Sequence, residues 1–484
     1  MMESRRRGVH GTSGEGEYVE LEVLEEGERP TSSSTSGIHA ALSEGRPVTG
    51  PRATRWSTSS LVLLGFGISL CSFLFGSAWR SVSSSDPYLQ NHDGGSDPAH
   101  LSLPSDTYKK PLVIGHRGSC GMLPEHTLEG YKLAIKQEAD CIECDVILTK
   151  DAVAICRHDL TLESTTDVAN RTEFAHMRTT RMVEGEEVTG WFAVDFTVAQ
   201  IKTLRAKQRM DFRDPNYNGL FEVATLQEQI DLVKAGKGDG DDVVEEESER
   251  VRWHLRLLDW FLGARGGGSD LGKAGAIEKG TTCLYPEMKS TAWHNSLGLW
   301  GGRRSEDIIL EVLRKNGYSS KDDDIYLQSF ETEDLLHVHS RSSIKLIQLI
   351  GAPDVIQWDT KRPYSELLSE KGMHEIAGYA FAVSPSKNDI CPKNETTGYI
   401  DEASIQKGKA FIDMVHSKGL QAHPWVLRDE NRYLAWNYGQ DAYNEYTLFI
   451  KEVGVDGFFT DFPQTASNYI RLFEMDLRQQ TRLP

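Results

Sequence analysis

Between residues 110 and 470 short apolar runs recur, most of them separated by segments of helix length, and no other feature limits the available folds so sharply. The runs are Leu112–Gly115, Cys141–Leu148, Cys283–Lys289, Ile325–Phe330, Lys345–Ile350, Gly378–Ser384, Leu420–Leu427 and Asp456–Asp461. Amphipathic segments lie between several of them, at Thr127–Gln137, Glu306–Lys315 and Ile405–Lys418. A strand buried on both faces reads as a continuous apolar run, and a helix covering a sheet carries one apolar stripe. Eight such units predict an α/β protein, a (β/α)8 TIM barrel. An open doubly wound sheet would place a glycine-rich phosphate loop at the start of its first helix, and the sequence has none there.

A ninth run, Ala152–Cys156, follows the second after only Thr149-Lys150-Asp151. That link is too short for a parallel crossover, so it predicts a hairpin that carries His158 back over the barrel mouth. The stretch from Leu160 to Thr282 then reads as an insertion between barrel strands 2 and 3. Its part from 236 to 280 is low in complexity, mostly Gly and acidic residues, interrupted by Val251–Leu262. That island reads as a tolerated surface insertion, with a membrane-lying amphipathic helix as the alternative.

Residues 1–60 are rich in Ser, Thr, Gly, Glu and Arg without apolar periodicity, which predicts a disordered tail. No charge falls between Arg55 and Arg80, so residues 61–79 form an apolar stretch able to span a bilayer core of ~30 Å. The long segment before it argues for a transmembrane signal anchor over a cleaved signal peptide. Arg46, Arg52 and Arg55 precede the stretch and only Arg80 follows closely. The positive-inside rule then places the N-terminus in the cytosol and the rest on the luminal or extracellular side. The sequons Asn170-Arg-Thr and Asn394-Glu-Thr fall in that outer part, after a Ser-, Asp-, Gly- and Pro-rich linker at 80–109.

The net charge of −19 over 484 residues, with no basic stripe, argues against nucleic acid as a partner. An anionic substrate must instead be attracted by a bound cation and a few local basic groups. Seven cysteines are few for a disulfide scaffold, and Cys141-x-x-Cys144 has no second pair, so these read as ordinary strand cysteines.

Ionisable residues concentrate at the C-terminal ends of the first three runs, which meet at one mouth in a barrel. His116 and Arg117 follow the first run, Glu143 and Asp145 lie in the second, and Glu287 and Lys289 end the third. Glu143 and Asp145 are two apart on a strand and face the same side. Two facing buried carboxylates repel unless a cation or proton separates them, and Glu287 is the natural third ligand. All-oxygen ligation suits Ca²⁺ or Mg²⁺. Arg117 and Lys289 read as a phosphate clamp, and His116 and His158 as proton carriers at neutral pH. Glu125 is a supporting candidate, and His126 is read as ordering the loop that opens the first helix. His337, His339, His374 and His416 lie outside the constellation.

His116-Arg117-Gly118, Pro124-Glu125-His126-Thr127, Glu143-x-Asp145-Val146, Thr149-Lys150-Asp151, His158-Asp159, Tyr285-Pro286-Glu287-Met288-Lys289 and Asp456–Pro463 resemble the motifs of the glycerophosphodiester phosphodiesterases. The likeness is to their periplasmic bacterial and secreted plant branch, and Asp195-Phe196-Thr197, Leu327–Phe330 and His423-Pro424-Trp425 share it. The resemblance implies a barrel enzyme that hydrolyses small-molecule glycerophosphodiesters, such as glycerophosphocholine, to sn-glycerol 3-phosphate and an alcohol. It implies His116 and His158 as the acid–base pair, Glu143, Asp145 and Glu287 as metal ligands, and Arg117 and Lys289 as phosphate ligands. The nucleophile is either the neighbouring glycerol hydroxyl or water. Cys120, the 236–280 insertion and the anchor depart from the pattern, and none removes a catalytic group. Rival readings are phospholipase C- or D-type cleavage of intact lipid on the same barrel, and a non-catalytic membrane-anchored surface protein.

Overall fold

The computed structural model describes residues 109–236 and 282–480. The expected tail, the anchor at 61–79, almost all of the linker and nearly all of the 236–280 insertion lie outside those residues. No helix among the described residues is long and apolar enough to cross a membrane.

Among the described residues eleven strands follow in chain order: β1 Leu112–Gly115, β2 Cys141–Leu148, β3 Ala154–Cys156, β4 Thr179–Val183, β5 Glu186–Gly190, β6 Cys283–Met288, β7 Tyr326–Ser329, β8 Lys345–Ile350, β9 Ala382–Pro385, β10 Gln421–Ala422 and β11 Gly457–Thr460. Eight of them pair in parallel in the order β10-β9-β8-β7-β6-β2-β1-β11. Between the two end strands, Leu427 N–H donates to Phe459 O at 2.8 Å and Asp456 N–H to Ala422 O at 3.0 Å. These bonds bring the sheet close to a closed eight-stranded barrel, the arrangement expected of a TIM barrel.

The barrel interior is apolar at its base, where Ile114, Tyr285, Ile347, Ala382 and Phe459 pack together. The outer faces of the same strands (Ile142, Cys144, Val146, Leu284, Leu327) pack against surrounding helices through Tyr131, Ile230, Ile309, Leu313 and Leu335. Two-residue periodicity thus sends alternate residues of each strand inward and outward. The expected helices form at Leu128–Lys136, Ser305–Lys315 and Glu402–Ser417.

The hairpin expected at the ninth run is present: β3 pairs antiparallel with β2, Val146 opposite Cys156 and Leu148 opposite Ala154. The insertion needs one correction. Its helix Leu226–Ala235 places Leu226, Ile230 and Val233 in the same core as Ile142 and Leu284. It is therefore the barrel's own crossover helix between β2 and β6, and the part of the insertion that the structure describes precedes it. That insertion carries the small β4–β5 sheet and a core of its own around Phe174, Phe192 and Phe196.

The cysteines also need correcting. Cys141 and Cys283 stand opposite each other on β2 and β6 and form a disulfide, with Cα atoms 4.3 Å apart. Parallel neighbours in register made the pair, which no local sequence spacing reveals.

Candidate active site

β1 delivers its chain to the mouth through a tight turn. Arg117 and Gly118 both take positive φ, 54° and 88°. A Cβ on Gly118 would lie 2.8 Å from the carbonyl carbon of Gly130, so the turn can lie against the start of helix Leu128–Lys136 only with glycine there. Thr127 caps that helix, its side chain accepting from Gly130 N–H at 3.1 Å. The same turn aims the Arg117 backbone N–H at Glu143, donating to Oε2 at 2.5 Å.

Register builds the carboxylate cluster. On β2 and β6 the inward row starts with the Cys141–Cys283 pair, continues with Glu143 opposite Tyr285, and ends with Asp145 opposite Glu287. Glu143, Asp145 and Glu287 are buried, and each offers an oxygen within 4.8 Å of the others. Burial and the neighbouring Asp145 charge raise the Glu143 carboxyl well above its usual range. Glu287 is pushed up to about 8, by burial first, against the opposing pull of Lys289. Burial acts upward on Asp145 too, but Lys289 and His158 hold it well below the usual range. Two buried acids pushed toward protonation beside an ionised third are a donor set that fits a hard divalent cation, whose charge would take the place of those protons. A second acid-containing group, His116, Cys120 and Asp461, does not fit one. Asp461 already spends its oxygens on His116, Arg213 and Arg428.

The two expected histidines reach the same mouth from different elements, each with an aspartate on its Nδ1. His116 Nδ1 lies 2.6 Å from Asp461 Oδ1, and His158 Nδ1 lies 2.6 Å from Asp159 Oδ1. Lys289 Nζ donates to His158 Nε2 at 2.7 Å, which fixes the Nδ1–H tautomer of that ring. An ionised Asp461 asks the same tautomer of His116. Burial pushes the His116 ring below its ordinary pKa, with Arg117 acting in the same direction and Asp461 against them, so the ring is a neutral base at pH 7.

Arg117 and Lys289 border the carboxylates. Arg117 Nη1 donates to Glu125 Oε2 at 3.2 Å and its Nε lies 3.4 Å from Asp145 Oδ2. Lys289 Nζ lies 3.4 Å from Glu287 Oε1 and 3.7 Å from Asp145 Oδ1. Both cations therefore stand beside the acid cluster, where a phosphate bound there would meet them.

All seven expected catalytic, phosphate-binding and metal-binding side chains converge here, and Glu125 joins them through Arg117. His126 is more than an organiser of its loop: its Nε2 lies 2.9 Å from Asp145 Oδ2 and its Nδ1 2.9 Å from the Tyr131 hydroxyl. Sequence reasoning gave no role to Asp159, Asp461, Arg209, Arg213 or Arg428. Asp461 ends the eighth apolar run, and position alone could have flagged it. Arg209 and Arg213 come from the insertion, where no periodicity marks them.

The chain is similar to several known proteins. The glycerophosphoryl diester phosphodiesterase family matches residues 116–254 and 286–465. The glycerophosphodiester phosphodiesterase GDPD6 of Arabidopsis thaliana is 33% identical over 385 residues, 78% of this chain and 90% of that protein. The glycerophosphodiester phosphodiesterase of Haemophilus influenzae is 25% identical over 400 residues, 77% of this chain and 94% of that protein. Among solved structures, a glycerophosphoryl diester phosphodiesterase described as putative, from Silicibacter pomeroyi, aligns with a TM-score of 0.48 and 20% identity, covering 75% of this chain and 94% of its own. The chain belongs to the glycerophosphoryl diester phosphodiesterase family and is a phosphoric diester hydrolase of that kind.

Proposed function

We propose that the enzyme hydrolyses glycerophosphodiesters such as glycerophosphocholine to sn-glycerol 3-phosphate and an alcohol, dependent on Ca²⁺ or Mg²⁺, with His116 and His158 as the acid–base pair. The observation that carries this reading is the pairing of both histidines with aspartates at one mouth beside three buried carboxylates.

Glu143, Asp145 and Glu287 would hold the cation. When bound, the cation neutralises non-bridging phosphate charge as a Lewis acid. Arg117 and Lys289 hold the remaining phosphate oxygens and keep the phosphorus between the two rings. His116, neutral with its Nδ1–H on Asp461, takes a proton at Nε2 from the attacking hydroxyl. His158 Nε2, which accepts from Lys289 in this structure, takes up a proton from solvent as Lys289 turns to the phosphate and then delivers it to the departing alkoxide, while Asp159 on Nδ1 steadies the imidazolium form. Glu125 supports the clamp by tying Arg117 in place.

The same reading extends to location: a signal anchor at 61–79 with the barrel on the luminal or extracellular side. Exposed Asn170 and Asn394 and the Cys141–Cys283 disulfide support an oxidising, glycosylating compartment.

The test is glycerol 3-phosphate release from glycerophosphocholine, with EDTA and then Ca²⁺ or Mg²⁺ added back, for the native chain, His116→Ala and His158→Ala. Each variant should lose at least about 10³-fold in turnover with its fold intact. Full activity in either folded variant, or EDTA-resistant turnover, overturns the assignment.

A further inference from the structure

Both aspartates behind the histidines are gripped by arginines from one short piece of the insertion. Arg209 Nη1 donates to Asp159 Oδ2 at 3.0 Å, while its Nε and Nη2 hold Glu125 at 3.0 and 2.8 Å. Arg213 Nη2 donates to Asp461 Oδ2 at 2.5 Å, its Nε to Glu430 at 2.8 Å and its Nη1 to Cys120 O at 3.2 Å. The pattern repeats on each side: Oδ1 of the aspartate meets the histidine Nδ1, and Oδ2 meets an arginine of the insertion, joined by Arg428 Nε at 2.8 Å on Asp461 and by the Ser164 hydroxyl on Asp159.

That division has a mechanical meaning. A carboxylate bound at one oxygen is free to turn about its terminal torsion, and the imidazole it holds turns with it. Binding the second oxygen restricts that freedom, and the insertion arginine adds a charged donor, tied at its other end to Glu125 or Glu430, to the one that Ser164 or Arg428 already supplies. Burial alone would raise both aspartates, but Arg209 holds Asp159, and Arg428 with Arg213 hold Asp461, below the usual range, so both stay ionised acceptors.

The segment bearing the arginines is itself pinned. Ala206 N–H donates to Phe221 O at 2.8 Å, Gln208 N–H to Asn218 Oδ1 at 2.6 Å, and Gln208 Nε2 to Cys120 O at 3.1 Å. Bonds from Gln208 and Arg213 to Cys120 O tie it to the turn that follows His116. The insertion is thus built into the rim of the catalytic mouth.

We propose that Arg209 and Arg213 are positioning residues for His158 and His116, so that one loop of the insertion sets the aim of both acid–base groups. Neither arginine touches the reacting atoms. The inference rests on the proposed roles of the two histidines and adds that their alignment depends on a segment outside the barrel strands.

The experiment compares Arg209→Gln, Arg213→Gln and the double variant with the corresponding lysine variants, in the full chain at saturating divalent cation. Each glutamine variant should lose at least about tenfold in kcat on glycerophosphocholine, with KM within about twofold. The lysine variants should recover part of kcat, since an ammonium can reach one aspartate oxygen but cannot span both carboxylates. His116→Ala and His158→Ala run alongside. If they are inactive while the folded double glutamine variant keeps its kcat, the positioning role is wrong. A rise in KM at unchanged kcat also overturns it, since that would make the arginines substrate ligands. A loss that lysine does not relieve, with a fallen Tm, reduces the pair to structural braces. Activity in the histidine variants would instead remove the reading on which the inference stands.

Discussion

His126 Nε2 lies 2.9 Å from Asp145 Oδ2, and the same ring meets the Tyr131 hydroxyl at 2.9 Å through Nδ1. The ring is wholly buried, and burial lowers its pKa to about 4, so at neutral pH it donates from Nε2 and accepts at Nδ1. Asp145 therefore presents Oδ2 to a fixed donor, while its Oδ1 lies 3.7 Å from Lys289 Nζ. Outer partners of this kind orient a ligand and raise metal affinity.

His126→Ala should weaken cation affinity by roughly 10- to 100-fold while sparing much of kcat at saturating cation. Cation titration of turnover checks this, and an unchanged half-saturation point refutes it.

Lys387 and Glu445 form a buried pair at 2.7 Å, and the lysine also donates to Tyr433 O at 3.2 Å. Removing one partner strands the other charge in a low-dielectric site. Lys387→Met should cost about 3–5 kcal/mol of stability, read by denaturant unfolding. A change under about 1 kcal/mol would show that Glu445 is neutralised or solvated when alone.

His294 and His423 are buried, and burial lowers both from 6.5 to about 4. Between those values the unfolded chain binds more protons than the folded one. Stability contributed by the neutral rings is thus complete above pH 6.5 and is lost as pH falls toward 4. Tm should drop by several degrees across that window, and His423→Gln should flatten the slope. The depressed carboxylates Glu125 and Asp461 act below their ordinary range and extend the loss to lower pH. A Tm flat from pH 6.5 to 4 contradicts the assignment.

The Cys141–Cys283 bridge joins residues 142 apart in sequence. Linking positions so distant restricts the unfolded chain by roughly 4–5 kcal/mol on the loop-entropy account. Reduction, or Cys283→Ser, should lower Tm by several degrees without dispersing the carboxylate cluster, since Glu143 and Glu287 are also held by the β2–β6 ladder. Equal Tm values with and without reductant would exclude a formed bridge in solution.

The barrel was legible because its strands are buried on both faces. β2 and β8 match the apolar runs Cys141–Leu148 and Lys345–Ile350 residue for residue. β10 was not: only Gln421–Ala422 of Leu420–Leu427 is regular strand, where Pro424, lacking an N–H, breaks the ladder. Helix Leu226–Ala235 was hidden in a stretch read as insertion, although Thr225 and Glu228 form a capping box that marked its start. The carboxylate cluster, Arg117, Lys289 and His116 were legible because strand ends converge at a mouth. Arg209 and Arg213 were not, because their role depends on a loop folding back across residues distant in sequence, to Asp461 and Glu125.

The bridge between β2 and β6 also changes what a protease can do to this molecule. Any single cut between Cys141 and Cys283, including one within residues 237–281, leaves both pieces covalently joined. A nicked molecule would migrate as one species until reductant is added and then separate into two. After a cut within residues 237–281 the histidines lie on one fragment and Glu287 with Lys289 on the other, so a cleaved enzyme keeps a complete mouth only while it stays oxidised or its barrel holds the halves together.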